Sequence, residues 1–174
     1  MLTERIKQWE DASEAFLHAF QQLSIDQTTF KPSPEKWSAI QIAEHLHKVD
    51  GFALRAVTKA KSRSKLSKPG VINELLTRFA CAYLRSPLKL KVPSEQIAPS
   101  NEVSIDEILS GWKFIQQELR KEALNMPPEK QEAAMFKHPI IGMINLDQTF
   151  RFLTEHTRNH HRQLQRLIVT LSEK

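Results

Sequence analysis

The sequence predicts an all-α protein, a four-helix bundle with one short extra helix and long connections that contain prolines. Only four of the 174 residues are glycine, and the stretches between the connections are rich in Leu, Ala, Glu, Lys and Gln, which favour helix. In four long stretches apolar residues recur every three or four positions, the spacing of one buried helix face. We expect residues 1–174 to form a single domain, because this length suits one hydrophobic core.

The first two long helices are predicted at residues 3–23 and 38–61. Ser38 can cap the second helix, and Gln41, three residues later, completes a capping box. Residues 24–36 contain two prolines and are not expected to form continuous helix. The apolar faces of these two helices contain Ile6, Trp9, Phe16 and Phe20, and Ile42, Leu46, Val49 and Phe52.

The second half of the chain is predicted to contain a short helix, residues 71–85, and two long helices. The first long helix covers residues 103–124 and opens with a capping box formed by Ser104 and Glu107. The last begins at Asn145 and ends near residue 172. The short helix would pack through an apolar face that includes Ile72, Leu75 and Phe79. The remaining stretches, 62–70, 86–101 and 126–145, are predicted to be linkers or loops because they contain glycine or proline.

Cysteine content and hydropathy favour a cytoplasmic protein. Cys81 is the only cysteine, so no internal disulfide can form, which suits a reducing compartment. The N-terminal stretch carries charges throughout, unlike a secretory signal, and no apolar run approaches the roughly 20 residues that a membrane span requires. We therefore expect no membrane association and interpret Cys81 as a small core residue.

The chain is basic, with a formal net charge of +5. Such an excess can indicate nucleic-acid binding, and here it is concentrated in the run from Lys59 to Lys68 and in residues 89–91. The first run has no aromatic residues that could stack on bases. We interpret it as a solvated basic segment and expect no nucleic-acid partner.

His156 and His160 in the last predicted helix lie four residues apart, so their side chains share one face and could hold one metal ion. Both fall within or beside the apolar stripe, whereas Glu155 and Arg158 fall on the opposite, solvent side. Two buried imidazoles need partners, because an unpaired buried polar group costs about 1–3 kcal/mol. A divalent cation or hydrogen bonds to other side chains would both satisfy them.

A third histidine, His45, lies on the inward face of the second long helix, while His47 is expected to face solvent. His45 can meet His156 and His160 only if the second and fourth long helices are neighbours. Three imidazoles would leave one coordination position open for water or substrate, as in catalytic sites. Zinc, nickel, cobalt and iron all accept such a ligand set.

Two neighbouring residues of the last helix are further candidates. His161 lies at the other margin of the apolar stripe and is an additional candidate ligand. Gln163 is the candidate catalytic residue, because it falls on the same side as His156 and could hold a metal-bound water or a substrate group. The alternative interpretation of Gln163 is an ordinary helix-surface glutamine.

Three short motifs, spread over residues 37–167, resemble those of the DinB-like (YfiT-like) superfamily. They are Trp37-Ser38 followed by His45-Leu46, then His138-Pro139-x-x-Gly142, then His156-x-x-x-His160-x-x-Gln163. The resemblance implies a four-helix bundle with a divalent metal, often nickel or zinc, on three histidines that correspond to His45, His156 and His160. It also implies frequent homodimers.

The reactions known in that superfamily include metal-dependent transfer of low-molecular-weight thiols and thiol-dependent isomerisation. The resemblance therefore implies a thiol S-transferase or hydrolase that acts on a small electrophilic substrate, with a low-molecular-weight thiol as a candidate cofactor. The loop around His138 and Gln163 would position the substrate. The alternatives are a non-catalytic metal-binding or stress-associated module, and a metal-free bundle with hydrogen-bonded histidines.

Overall fold

A computed structural model describes residues 1–86, 97–100 and 103–173 of the chain. Four long helices, α1, α3, α5 and α7, form the bundle that the sequence predicted, and their bounds lie within a few residues of the expected ones. In chain order the elements are α1 (Leu2–Gln21), α2 (Ile25–Thr29), α3 (Ala39–Ser62), α4 (Val71–Arg85), α5 (Ile105–Leu124), α6 (Pro128–Gln131), β1 (Phe136–His138), β2 (Gly142–Ile144) and α7 (Leu146–Ser172).

Three of the four long helices, α3, α5 and α7, begin after a residue whose side chain caps them, whereas α1 has no side-chain cap. Ser38, Ser104 and Asn145 each accept a hydrogen bond from the backbone N–H three residues later, and the side chain at that position bonds back, which completes three capping boxes. Within the bundle α1 lies along α7, α3 lies along α5, and α3 also contacts α7. The contact between α3 and α7 determines where the candidate site lies, because it brings the middle of α7 against the start of α3.

Aromatic side chains fill the core in two clusters. In one cluster the rings of Trp9 and Phe150 meet edge to face, with their centroids 5.4 Å apart. In the other, the rings of Phe16 and Trp112 meet in the same way, with their centroids 5.6 Å apart. All four side chains are fully buried, and each large apolar side chain buried in this way contributes about 1.5–3 kcal/mol. The histidines discussed below lie beside this core, and its packing holds their helices in place.

The short helix α4 packs differently from the prediction. Its buried residues are Thr77 and Cys81. Of the predicted apolar face, Leu76 and Tyr83 are half-buried, whereas Ile72, Leu75 and Phe79 retain 70%, 61% and 70% of their accessible surface. The prediction was wrong for these three residues, because α4 lies against α7 with Thr77 and Cys81 buried and with Leu76, Ala80 and Leu84 packed against the core. The interpretation of Cys81 as a small buried residue agrees with the structure.

The stretch 126–145 is not the continuous loop that the sequence predicted, since it contains α6 and a β-hairpin. In the hairpin, β1 and β2 pair antiparallel with Phe136 opposite Ile144. Strands of three residues are too short to show a convincing alternating pattern in the sequence. Gly142 adopts a φ of +83°, which glycine tolerates without strain, and the Asn73 side chain donates to the Ile141 carbonyl at 2.8 Å, so the hairpin is attached to α4.

Three other expectations concern the connections. The stretch 24–36 includes the one-turn helix α2, which has its own capping box of Ser24 and Gln27. Of the basic run, Lys61 pairs with Glu122 at the end of α3 and Lys68 pairs with Glu132. The predictions for residues 89–91 and for most of 86–101 lie outside the described residues.

In the described part of the chain, no helix has the length and apolar character of a membrane span.

Candidate metal centre

Three histidines converge between α3 and α7. One ring nitrogen from each of His45, His156 and His160 lies within 4.8 Å of the others, and the three ring centroids are 4.6–5.0 Å apart. The spacing of four residues places His156 and His160 on the same face of α7, and the contact between α3 and α7 brings in His45. The structure therefore brings together the three residues that the sequence proposed as ligands.

Hydrogen bonds fix the tautomers of two of these rings. The Nδ1 atom of His45 lies 2.7 Å from the carbonyl oxygen of Ile97, and the Nδ1 atom of His160 lies 2.9 Å from Oε1 of Gln163. Because both oxygens accept, each Nδ1 carries the proton and donates it. In a neutral ring the proton-free Nε2 then has a lone pair, which is what a metal ion requires.

The ring of His156 meets that of His45 directly, with the two Nε2 atoms 3.1 Å apart. Since Nε2 of His45 has no proton, His156 either donates a proton to it or presents a second lone pair to a cation between them. In a tetrahedral zinc site with Zn–N bonds of about 2.0–2.1 Å, two ligand nitrogens lie roughly 3.3 Å apart. The distance of 3.1 Å between Nε2 of His45 and Nε2 of His156 is therefore close to that of two ligands on one ion.

Burial keeps the three imidazoles uncharged. Desolvation lowers the pKa of His45, lowers that of His156 well below its usual value, and lowers that of His160 to about 3. The neighbouring imidazoles lower the pKa values of His156 and His160 further, because a second positive charge would be repelled. At neutral pH the cluster consequently presents neutral rings, the form that binds metals.

Indole packing and a short chain segment enclose the cluster. The ring of Trp37 lies 5.0 Å from that of His45 and stacks on His160 at 6.1 Å. The segment that carries Ile97 is attached to α3, because Lys48 donates to the Ala98 carbonyl at 2.8 Å and also pairs with Glu44. Nothing in the sequence marks Ile97, because a backbone carbonyl accepts a hydrogen bond regardless of the side chain of its residue.

His138 lies close to the cluster without joining it. Its Nδ1 accepts hydrogen bonds from the backbone N–H groups of Ile140 and Ile141, and burial lowers its pKa to about 4. The centroid of the His138 ring lies 4.3 Å from that of Phe152, and the Phe152 ring in turn stacks on His156 with a centroid distance of 5.2 Å. One aromatic ring thus separates the hairpin from the candidate ligands. The positioning of a substrate by the His138 loop stays a prediction.

The remaining candidate residues lie outside the group of three histidines in the described structure. Gln163 orients His160 through the hydrogen bond described above, and its predicted contact with a metal-bound water or a substrate stays a prediction. His161 is half-buried and lies outside the group of three in the described structure. His47 is half-buried rather than solvent-facing, because its ring packs over Gly111 of α5.

The expected orientation of Glu155 was also wrong. Its side chain is only 7% exposed, and Oε1 accepts from Arg85 at 3.0 Å and from Arg158 at 3.1 Å. The apolar stripe of α7 marks the side that faces the bundle core, but α4 covers a second side, where Arg85 reaches Glu155. A polar contact surface of this kind leaves no hydrophobic pattern in the sequence.

Comparisons with known proteins agree with this architecture. The model of the DinB superfamily matches residues 8–164. Among solved structures, the crystal structure of TT2238, a four-helix bundle protein, superposes with a TM-score of 0.60 at 19% identity and covers 95% of this chain and 99% of its own, which is a likeness of fold. No curated protein matches the chain significantly. Because that family model covers most of the chain, the chain belongs to the DinB superfamily.

Proposed function

We propose that His45, His156 and His160 hold one divalent metal ion, nickel or zinc, between α3 and α7. The observation that carries the proposal is the convergence of three ring nitrogens within 4.8 Å of one another. Support comes from the two Nδ1 hydrogen bonds, which leave lone pairs on His45 and His160, and from burial, which keeps the rings neutral. The ligand set does not discriminate between the two metals.

We further propose that this site is catalytic, in a thiol S-transferase or hydrolase that acts on a small electrophilic substrate. Three protein ligands leave a coordination position open, and a divalent ion bound there would lower the pKa of a thiol or a water near neutral pH. Trp37 shields one side of the cluster, while Ile97 and Gln163 hold two rings in orientation. In the transfer reaction the thiol sulfur bonds to the electrophilic carbon, the leaving group departs with its electron pair, and the thiol proton passes to solvent.

A non-catalytic metal-binding module is the second candidate function. It is supported by the position of the cluster, because an ion shared by α3 and α7 would link two long helices of the bundle. Such an ion would stabilise the fold by mass action. Thermal unfolding with and without a chelator tests this role, which predicts a large chelator-dependent fall in Tm together with no thiol transfer or hydrolysis in any assay.

Elemental analysis of protein purified without an affinity tag tests the metal site directly. We expect about one nickel or zinc per chain in the wild type and none in the triple variant His45→Ala, His156→Ala, His160→Ala. His161→Ala is the matched control, because it removes a neighbouring imidazole from outside the group of three, and it should keep its metal. Equal metal content in the wild type and the triple variant would refute the proposed site.

Activity is tested separately, with metal-loaded protein and a panel of low-molecular-weight thiols and small electrophiles. The enzyme proposal expects thiol conjugation or hydrolysis that the triple variant lacks at equal protein concentration. Metal binding without acceleration of any reaction would leave the binding module as the function. The homodimer and the cytoplasmic location stay predictions.

A further inference from the structure

A surface cavity of about 280 Å³ lies where α1, α4 and α7 meet. Its walls include four arginines, one from α1, one from α4 and two from α7, together with Gln8 and Glu155. The arginines are Arg5, Arg85, Arg151 and Arg158. No part of the proposed metal site lines this cavity.

The cavity is separated from the histidines by the body of α7. At about 100° per residue, Arg151, Glu155 and Arg158 share one side of the helix, and His156 and His160 lie nearly opposite. A ligand in the cavity would therefore occupy a second site, with no contact to the histidine rings through α7.

Positive charge is in excess around this cavity. Glu155 pairs with Arg85 and Arg158. Glu74 pairs with Arg151 and Arg78, and Asp147 pairs with Arg5 and Arg151. Glu74, Arg78 and Asp147 are neighbours of the cavity and do not line its wall. The network described by these ion pairs thus has five guanidinium groups against three carboxylates, an excess of two positive charges.

All four cavity arginines are ion-paired before any ligand arrives, and Arg151 is the most enclosed of them, whereas the side chains of Arg5, Arg85 and Arg158 are 37%, 65% and 46% exposed. Arg151 is 19% exposed and donates to both oxygens of Glu74, and the two arginines on Glu155 share a single oxygen. Because a guanidinium has five N–H donors, each arginine has donors beyond those used in its ion pair. Donors that are fixed in advance lose less entropy on binding.

We propose that this cavity binds the phosphate group of a small phosphate monoester. Arginine forks match phosphate geometry, and a phosphate monoester carries about −1.5 to −2 charges near neutral pH, which matches the excess of two. The cavity volume is just below the usual 300–1,000 Å³ of ligand sites, so it suits the phosphate end of a ligand whose remainder lies outside.

Binding can be measured by calorimetric titration of the full chain with phenyl phosphate at fixed ionic strength, with acetate as the monoanion for comparison. The protein is used as purified, and the triple histidine variant, which should hold no metal, distinguishes binding in the cavity from phosphate bound directly by a divalent cation. We expect one phenyl phosphate to bind per chain and the affinity to fall at least tenfold in Arg85→Gln. Arg85→Lys should have an intermediate affinity, because lysine keeps the positive charge but lacks the two parallel N–H donors of a guanidinium.

The control is Arg120→Gln, which removes the same charge from an exposed ion pair with Glu10 outside the cavity, and it should change affinity less than twofold. Circular dichroism spectra and melting curves of each variant establish that it is folded, and Arg158→Gln serves as the second test if Arg85→Gln fails to fold. Unchanged binding in the cavity variants, equal weakening in Arg120→Gln, or equal affinity for acetate would each overturn the proposal. Loss of the metal site in the triple histidine variant should leave phosphate binding intact.

Discussion

The two polar sides of α7 bury their groups in opposite ways. On the histidine side, His156 and His160 lose their charge, because burial lowers their pKa values far below neutrality. On the arginine side, Glu155 keeps its charge: burial raises its pKa, but the hydrogen bonds and positive charges of Arg85 and Arg158 together outweigh burial, and the net pKa is lowered. One helix thus contains a neutral cluster and a paired, charged network.

The two sides of α7 therefore suit different ligands. A cation needs lone pairs on uncharged donors, which desolvation supplies on the histidine side. An anion needs fixed positive charge, which the excess of guanidinium groups supplies on the arginine side. On this view, an arginine partner decides whether a buried carboxyl keeps its charge. Substitutions at Asp50, Gln163 and Glu74 test this difference between the two sides.

Asp50 of α3 gives the largest expected effect, because it is a buried carboxyl without an arginine. Its Oδ2 accepts from the indole N–H of Trp112 at 2.7 Å, and the indole nitrogen of Trp9 lies nearby, outside hydrogen-bonding geometry. Burial outweighs both indoles and raises the pKa of Asp50 from 3.8 to about 7. Between pH 4 and 7 the folded state thus binds more protons than the unfolded state, so ionised Asp50 destabilises the fold as pH rises.

We expect Asp50→Asn to be more stable than the wild type at pH 8, by on the order of 2–4 kcal/mol, and similar to it at pH 4. Urea unfolding at several pH values measures this difference. Asp11→Asn, which removes an exposed carboxylate paired with Lys7, should show no comparable pH dependence. A stability difference for Asp50→Asn that stays constant from pH 4 to 8 would contradict the assigned charge state.

Gln163 tests the histidine side. Its side-chain oxygen holds the Nδ1 proton of His160, and loss of such a hydrogen bond behind a metal ligand typically weakens metal affinity 10–100-fold. We expect that loss in Gln163→Ala, a partial recovery in Gln163→Glu, and wild-type affinity in Gln165→Ala, which alters an exposed glutamine on the same helix. Competition titration with a metal-binding dye measures all four proteins. Unchanged affinity in Gln163→Ala would mean that the hydrogen bond does not support the ligand.

The bundle and the three-histidine cluster followed from the sequence because both depend on periodicity. Apolar residues at three- and four-residue steps mark the faces that meet in the core, and His45, His156 and His160 lie on or beside those faces. Once α3 and α7 are neighbours, the convergence of the rings follows. The motifs shared with the DinB superfamily pointed to the same three residues.

The arginine side did not follow from the sequence, because the spacing of its charged residues on α7 does not show that another helix covers them. The exposed apolar face of α4, with Ile72, Leu75 and Phe79, suggested the wrong packing direction. The helix instead meets α7 with Thr77 and Cys81 buried and with ion pairs such as that of Arg85 with Glu155, seventy residues apart. Charged residues on a helix surface look alike in a sequence whether they face water or another helix.

Glu74 tests the arginine side and gives the smallest expected effect. Burial raises the pKa of this carboxyl, but hydrogen bonds from Arg151, Arg78 and Gln148 outweigh burial and lower its pKa from 4.5 to about 2. Between pH 4.5 and 2 the unfolded state therefore binds more protons, so the stabilisation is present above pH 4.5 and is lost as pH falls towards 2.

We expect Glu74→Gln to be less stable than the wild type at pH 7, by about 1–2 kcal/mol after allowance for the partial exposure of the group. Urea unfolding should show the difference shrinking steadily below pH 4.5, while Glu14→Gln, an exposed substitution on α1, should stay close to the wild type throughout. A difference that persists unchanged at pH 2 would mean that Glu74 acts through packing alone. The contrast between the two sides of α7 would then no longer depend on an arginine partner, because the carboxylate would be stabilised without its charge.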